Sequence, residues 1–281
     1  MNVGFASRRG LLGVAFAVPL LVAACGGGGQ TSPRAPAAQP SGAAEMAVPS
    51  WAMSWKVNIL SPAGGARITA NQVPLNLSFS GFQPSCAAGQ SPPVQGIGHF
   101  HVMIDNSLID MYCTSPVNVS MQNVKPGEHT LSVVPALSDH MDVMDNMQSI
   151  KIDYEPASPL PAVAAAPASG TPTIKILSPA PGATVSGPFD VRVKVADFNL
   201  TCDLEGKPDV AGYGHWHVNI DTTNSAMNGM ATMARMSCTD TMHLTTQGFK
   251  SGKHTLIAYL ADDQHAPFNP MVAAQVDVNF A

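Results

Sequence analysis

Three histidines in one half of this chain, and three in the other, have the types and spacing of a metal-ligand set. His99 and His101 stand two apart in Gly96-Ile97-Gly98-His99-Phe100-His101-Val102-Met103-Ile104-Asp105, and the pattern returns as Gly212-Tyr213-Gly214-His215-Trp216-His217-Val218-Asn219-Ile220-Asp221. A third histidine follows in each half, His140 and then His265. In an extended strand alternate side chains face opposite sides. Phe100, Val102 and Ile104 then form one apolar face, as do Trp216, Val218 and Ile220, and each His-x-His pair lies on the other. Three neutral imidazoles suit Cu(II), Zn or Ni.

The equivalence extends well past this motif. Ile59-Leu60-Ser61-Pro62 returns as Ile176-Leu177-Ser178-Pro179, Cys86 as Cys202, Cys113 as Cys238, and Gly127-Glu128-His129-Thr130-Leu131 as Gly252-Lys253-His254-Thr255-Leu256. A self-similarity this long means two copies of one domain rather than a solenoid. The boundaries read as 50–155 and 172–281, joined by a Pro/Ala-rich linker over 156–171.

Each copy reads as β-structure. Val57–Leu60, Leu75–Phe79, the His-x-His segment, Leu108–Cys113, Val117–Val124, His129–Val134 and Gln148–Tyr154 make about seven strands, with a hairpin turn at Asn106-Ser107. The fold class is all-β, as two tandem immunoglobulin-like β-sandwiches. In such a sandwich the start of the third strand and the loop before the last strand share one end. His99, His101 and His140 can therefore converge, and likewise His215, His217 and His265. His129 and His254 start at the opposite end and are expected to fix a turn through a backbone hydrogen bond.

Methionines add soft ligands. Met141, Met144 and Met147 follow His140 at spacing three. Met227, Met230, Met233 and Met236 repeat that spacing in an insertion found in the second copy alone. Thioethers suit Cu(I), so Met141, Met144, Met230, Met233 and Met236 join the candidate set, with copper ahead of zinc. Asp105 and Asp221 are candidate acceptors that would orient the site imidazoles. The alternative is bland: the histidines form a hydrogen-bond network that ties a loop to the sheet, and the methionines fill gaps. No GxSxG, phosphate loop or HExxH is present, so no catalytic constellation is visible.

The first 24 residues carry Arg8 and Arg9, an apolar run from Leu11 to Leu21 and small residues before Cys25. This is the pattern of a secretory leader. Its removal takes two cations and no acid, moving the net charge from −5 to −7. With no basic runs, nucleic acid is excluded as a partner class. An exported chain with four cysteines at paired positions implies Cys86–Cys113 and Cys202–Cys238 disulfides.

Three resemblances follow from these residues. Val22-Ala23-Ala24-Cys25 resembles the lipobox of bacterial lipoproteins, which implies a lipid on Cys25, a tether over 25–49 and a periplasm-facing place, the outer membrane before the inner. Ser7-Arg8-Arg9-Gly10-Leu11-Leu12 also resembles a twin-arginine signal, so the export route stays open. The GHxHVxID motif, the Gly-x-His-Thr-Leu strand and Asp262-Asp263-Gln264-His265-Ala266-Pro267-Phe268-Asn269-Pro270 resemble a periplasmic Ig-like family of unknown function. The first copy departs after His140, with Met141-Asp142-Val143 and neither proline. That resemblance implies a fold and a location and no activity. The partner is then a metal ion or another envelope protein. A Cys25→Ser variant is expected to leave the membrane fraction and lose its acyl label; wild-type protein recovered soluble and unlipidated would refute the anchor.

Overall fold

Alternating burial builds each copy from strands. In the computed structural model, which describes residues 47–90, 92–167, 170–223 and 231–281, the first copy runs β1 (Lys56–Ser61), β2 (Ala66–Ile68), β3 (Gln72–Ser80), β4 (Gln83–Pro84), β5 (Ile97–Ile104), β6 (Ser107–Tyr112), β7 (Val117–Ser120), β8 (Gly127–Leu137) and β9 (Gln148–Tyr154). The second runs β10 (Thr173–Ser178), β11 (Thr184–Val185), β12 (Pro188–Ala196), β13 (Asn199–Leu200), β14 (Tyr213–Ile220), β15 (Met233–Ser237), β16 (Thr241–Thr245), β17 (Gly252–Ala261) and β18 (Ala273–Phe280). The leader, Cys25 and most of the tether lie outside the described residues, as does Met230.

Each copy has a three-stranded sheet, β1-β3-β7 or β10-β12-β16. It faces a six-stranded sheet, β2-β9-β8-β5-β4 with β6 on β5, or β11-β18-β17-β14-β13 with β15 on β14. This is an immunoglobulin-like sandwich, with two strands more per copy than the sequence pattern suggests, because β2 and β4 are too short to show a period. Between the sheets, Phe100, Val102 and Ile104 pack with Val73, Leu75 and Leu131. Trp216, Val218 and Ile220 pack with Val191, Met242 and Leu256. Both expected disulfides are formed, and each shortens the unfolded chain's freedom.

Three local readings are corrected. The β5–β6 hairpin turns at Asp105-Asn106, one residue early, because both adopt positive φ (51° and 69°) and so supply the turn type that matches strand twist. The strand expected over Val117–Val124 ends at Ser120, where Asn123 takes a left-handed φ of 58°. Folded structure begins before residue 50, since Val48 packs on the Trp55 cluster.

The linker is fastened rather than free. Gln122 Nε2 donates to Pro161 O, Val163 N to Asn123 Oδ1, and Ala166 N to Ala211 O. Residues 46–281 form one compact unit. Among the described residues no helix is long and apolar enough to cross a membrane.

Trp216 is fully buried and its Nε1 donates to Thr239 O at 2.6 Å. Trp216→Ala should cost about 3–5 kcal/mol in denaturant unfolding. Leu60→Ala, at a side chain 59% exposed, should stay within about 0.5 kcal/mol.

Candidate metal centre

The six histidines assemble as two triads. One ring nitrogen from each of His99, His101 and His140 lies within 4.8 Å of the others, and the same holds for His215, His217 and His265. The pairs come from β5 and β14. Each third histidine comes from the loop after β8 or β17, held at a left-handed φ of 66° in both copies. Glycine before each pair allows the close strand approach: a Cβ on Gly98 would sit 2.5 Å from Ala136 O, and one on Gly214 2.2 Å from Ala261 O.

The face that carries them is not solvated. His99, His101, His140, His215 and His217 are all at most 3% exposed. Their sheet faces turn toward the opposite copy. His140 Nε2 donates to Met233 O at 2.5 Å, and His265 Nε2 donates to Leu108 O at 2.9 Å. These bonds cross between the copies.

The inner nitrogens converge, and four of the six outer ones have a partner nearby, while His99 Nδ1 and His215 Nδ1 are buried without a hydrogen bond. His101 Nδ1 lies 2.8 Å from Asp142 Oδ1, an ion-pair distance. His217 Nδ1 lies 3.0 Å from the Tyr259 hydroxyl. Inside the second triad, His215 Nε2 is 2.8 Å from His217 Nε2 and 2.9 Å from His265 Nδ1. His265 has spent its proton on Leu108 O, so its Nδ1 presents a lone pair. At best one N–H then serves two lone pairs. In the first triad His99 Nε2 and His101 Nε2 are 3.0 Å apart, and the buried His140 Nδ1 has no hydrogen-bond partner. Ligating imidazoles commonly donate their other N–H to a carboxylate or carbonyl in this way.

Burial favours the neutral form of five of the rings. Desolvation, then the neighbouring histidines, hold His99, His215 and His217 well below the usual imidazole range. Burial also pushes His140 down to about 3, and it lowers His265. A neutral imidazole is the form that binds metal.

The other candidates divide. Opposite residues of an antiparallel pair share a face. Met236 stands opposite His217, and a bulge at Val218/Asn219 brings Met233 opposite Asn219 on that same face. Met141 packs with Trp55 and Leu137, and Met144 is 53% exposed. The sequence reading missed Met111, which stands opposite His101 exactly as far along its hairpin as Met236 does. It also missed Asp142 and Tyr259. A small cavity of about 20 Å³ opens beside His99, His140 and Met111, room for about one water-sized body.

Asp105 and Asp221 do not serve the triads. The strand ends before them, and they bind the other pair of histidines that the two copies share instead. His129 Nδ1 is 2.6 Å from Asp105 Oδ2 and its Nε2 donates to Lys125 O at 2.8 Å. His254 repeats this with Asp221 and Lys250 O, both at 2.8 Å. The expectation that these two histidines fix a turn agrees with this geometry. A third grouping, Cys202, Glu205 and Cys238, has both sulfurs committed to the disulfide.

No family model matches the chain, and no curated protein matches it. Solved structures similar to it include the fibronectin(III)-like modules of Clostridium thermocellum CbhA, at 14% identity over 80% of this chain and 92% of that one, TM-score 0.25. A Dscam isoform structure shows 8% identity over 82% and 47%, TM-score 0.20. The Cu(I) form of a chitin-active lytic polysaccharide monooxygenase shows 14% over 34% and 57%, TM-score 0.21. The chain spans nearly all of the first and about half of the other two. Overlaps this loose carry no functional argument; the strand topology itself defines the sandwich.

The triads impose a pH dependence. An unfolded histidine titrates near 6.5, and His99, His140, His215, His217 and His265 titrate lower, so unfolding takes up protons as pH falls. Their stability contribution is intact above about 6.5 and is lost below it, at roughly 1.4 kcal/mol per pH unit for each ring. His129, which burial alone would lower, is raised by its bonds to Asp105 and Lys125 O, so its contribution has the opposite sign and fades as pH rises. Urea unfolding between pH 7 and 5 should show the falling trend, and His215→Gln should reduce its slope by one ring's share. A slope unchanged in that variant would mean His215 is charged in the fold.

Proposed function

We propose that this chain is a lipid-anchored envelope protein whose two Ig-like copies bind copper, one ion per histidine triad. One observation carries the reading: three ring nitrogens converge in each copy and share too few protons to satisfy one another, while the outer nitrogens of His140, His265, His101 and His217 lie against a carbonyl, a carboxylate or a phenol. A cation accepting all three lone pairs resolves that deficit. Imidazole serves Cu(II), and the thioethers of Met111 and Met236 across the hairpin suit Cu(I). Zinc fits the nitrogens without using the sulfurs.

A second reading has its own support. The bonds from His140 and His265 to carbonyls of the opposite copy make the histidines fasteners of the interface, with no metal needed. Calorimetry separates the two. Copper at a hundredfold excess over its dissociation constant should stabilise the fold by about 2.7 kcal/mol. His101→Ala or His217→Ala should each abolish binding in its own copy, and His129→Ala or His254→Ala should leave it nearly unchanged. If neither Cu(II), Cu(I) under ascorbate, nor Zn gives heat or raises the melting temperature, the fastener reading stands.

A further inference from the structure

Each triad borrows one fixed point from the other copy. Met233 and Leu108 occupy equivalent places: Met233 pairs with Asn219 and Leu108 with Met103, each just past a bulge in the hairpin. Met233 O holds His140 and Leu108 O holds His265. The contact is thus reciprocal, as at an isologous interface between two copies of one surface.

The interface is shaped for this. The loop after each first half-cystine sets a left-handed glycine against the opposite hairpin. A Cβ on Gly206 (φ 71°) would lie 2.2 Å from Leu108 O, and one on Gly89 (φ 81°) 2.9 Å from Met233 O. Larger residues there would push away the two carbonyls that the histidines use. Gln90 Nε2 adds a bond to Gln247 O across the copies.

We propose, resting on the metal reading above, that each site is completed by the opposite copy, so that two copper ions bind as a coupled pair and lock the copies face to face. A ring whose outer N–H is held by a carbonyl presents its inner lone pair in one orientation. An ion at the first triad fixes His140, hence β15, hence the surface against which β6 and His265 are set. Coupling between binding sites is reciprocal by linkage, so the ion at the second triad acts equally on the first.

The test uses the full mature chain and competition titrations with Cu(I) under ascorbate. Gly206→Ala, placed in a His99→Ala/His101→Ala background, leaves His215, His217 and His265 intact. It should weaken the remaining site by roughly ten- to hundredfold, as loss of an orienting partner does. Gly89→Ala in a His215→Ala/His217→Ala background should do the same to the first site. A second arm needs no glycine variant, in case these do not fold. Wild type should fill both sites in one steep phase, and His215→Ala/His217→Ala alone should weaken the first site by about fivefold or more. Two independent sites, each untouched by changes in the other copy, would overturn the coupling and leave copper binding standing. Wild type that takes up no copper would overturn both.

Discussion

The structure depends on burying six imidazoles inside the face between its two copies. Each large sheet has an inner side that packs on its own small sheet and an outer side that carries the His-x-His pair. Leaving an outer side to water would let those rings protonate and separate. Covering it with the other copy removes water, and burial then favours neutral rings whose polar atoms need partners inside the protein. The acceptors come from β6 and β15, hairpin strands paired on one side only. Their spare carbonyls, a liability on an exposed edge, are what His140 and His265 need. Sheet edge, buried histidine and domain contact are one arrangement.

Duplication gave the interface its symmetry, and divergence made it workable. Asp110 pairs with Val102, and Arg235 with Val218, so the two occupy equivalent places. Two acids or two bases at equivalent places of a face-to-face contact would repel. Here burial pushes the Asp110 carboxyl up to about 7, while the Met111 N–H, Arg235 and His101 pull it down. A second exchange involves the outer nitrogen of the middle histidine. Where the second copy has Pro267 the first has Asp142, and where the first has Val134 the second has Tyr259. Asp142 lies at His101 Nδ1 and Tyr259 at His217 Nδ1. Each copy keeps one partner for that nitrogen by a different route.

Much of this was legible in the residues, and the rest was hidden for definite reasons. Period-two alternation placed Phe100 and Trp216 inward and the histidines outward, and topology brought His140 and His265 to them. Cysteine positions gave the disulfides. The covering of the outer face was not legible, because an outward polar residue on a strand reads the same whether water or a second domain lies beyond it. Asp105 and Asp221 were misplaced because alternation was continued through a turn, where positive φ breaks it. The missing prolines after His140 looked like a loss of pattern, yet one of those positions holds His101's acidic partner. Met111 sits alone in sequence, without the spacing that drew notice to the second copy's methionines, and only strand pairing reveals it.

The same divergence makes the approaches to the two triads unequal. The small cavity at the first triad is bordered by His99, His140, Met111 and Arg235. On the other side a larger cleft, about 290 Å³, reaches Met236 past Asp110, Glu205 and the same Arg235. Burial, and then repulsion from Asp110, hold the Glu205 carboxyl well above its usual range, against the pull of Lys207. The larger cleft thus carries carboxyls and a thioether, and the smaller cavity imidazoles and a thioether, beside the same Arg235. Two faces built from one repeated segment are in this way made unequal by a single charge reversal, Asp110 against Arg235, at the place where the two copies meet.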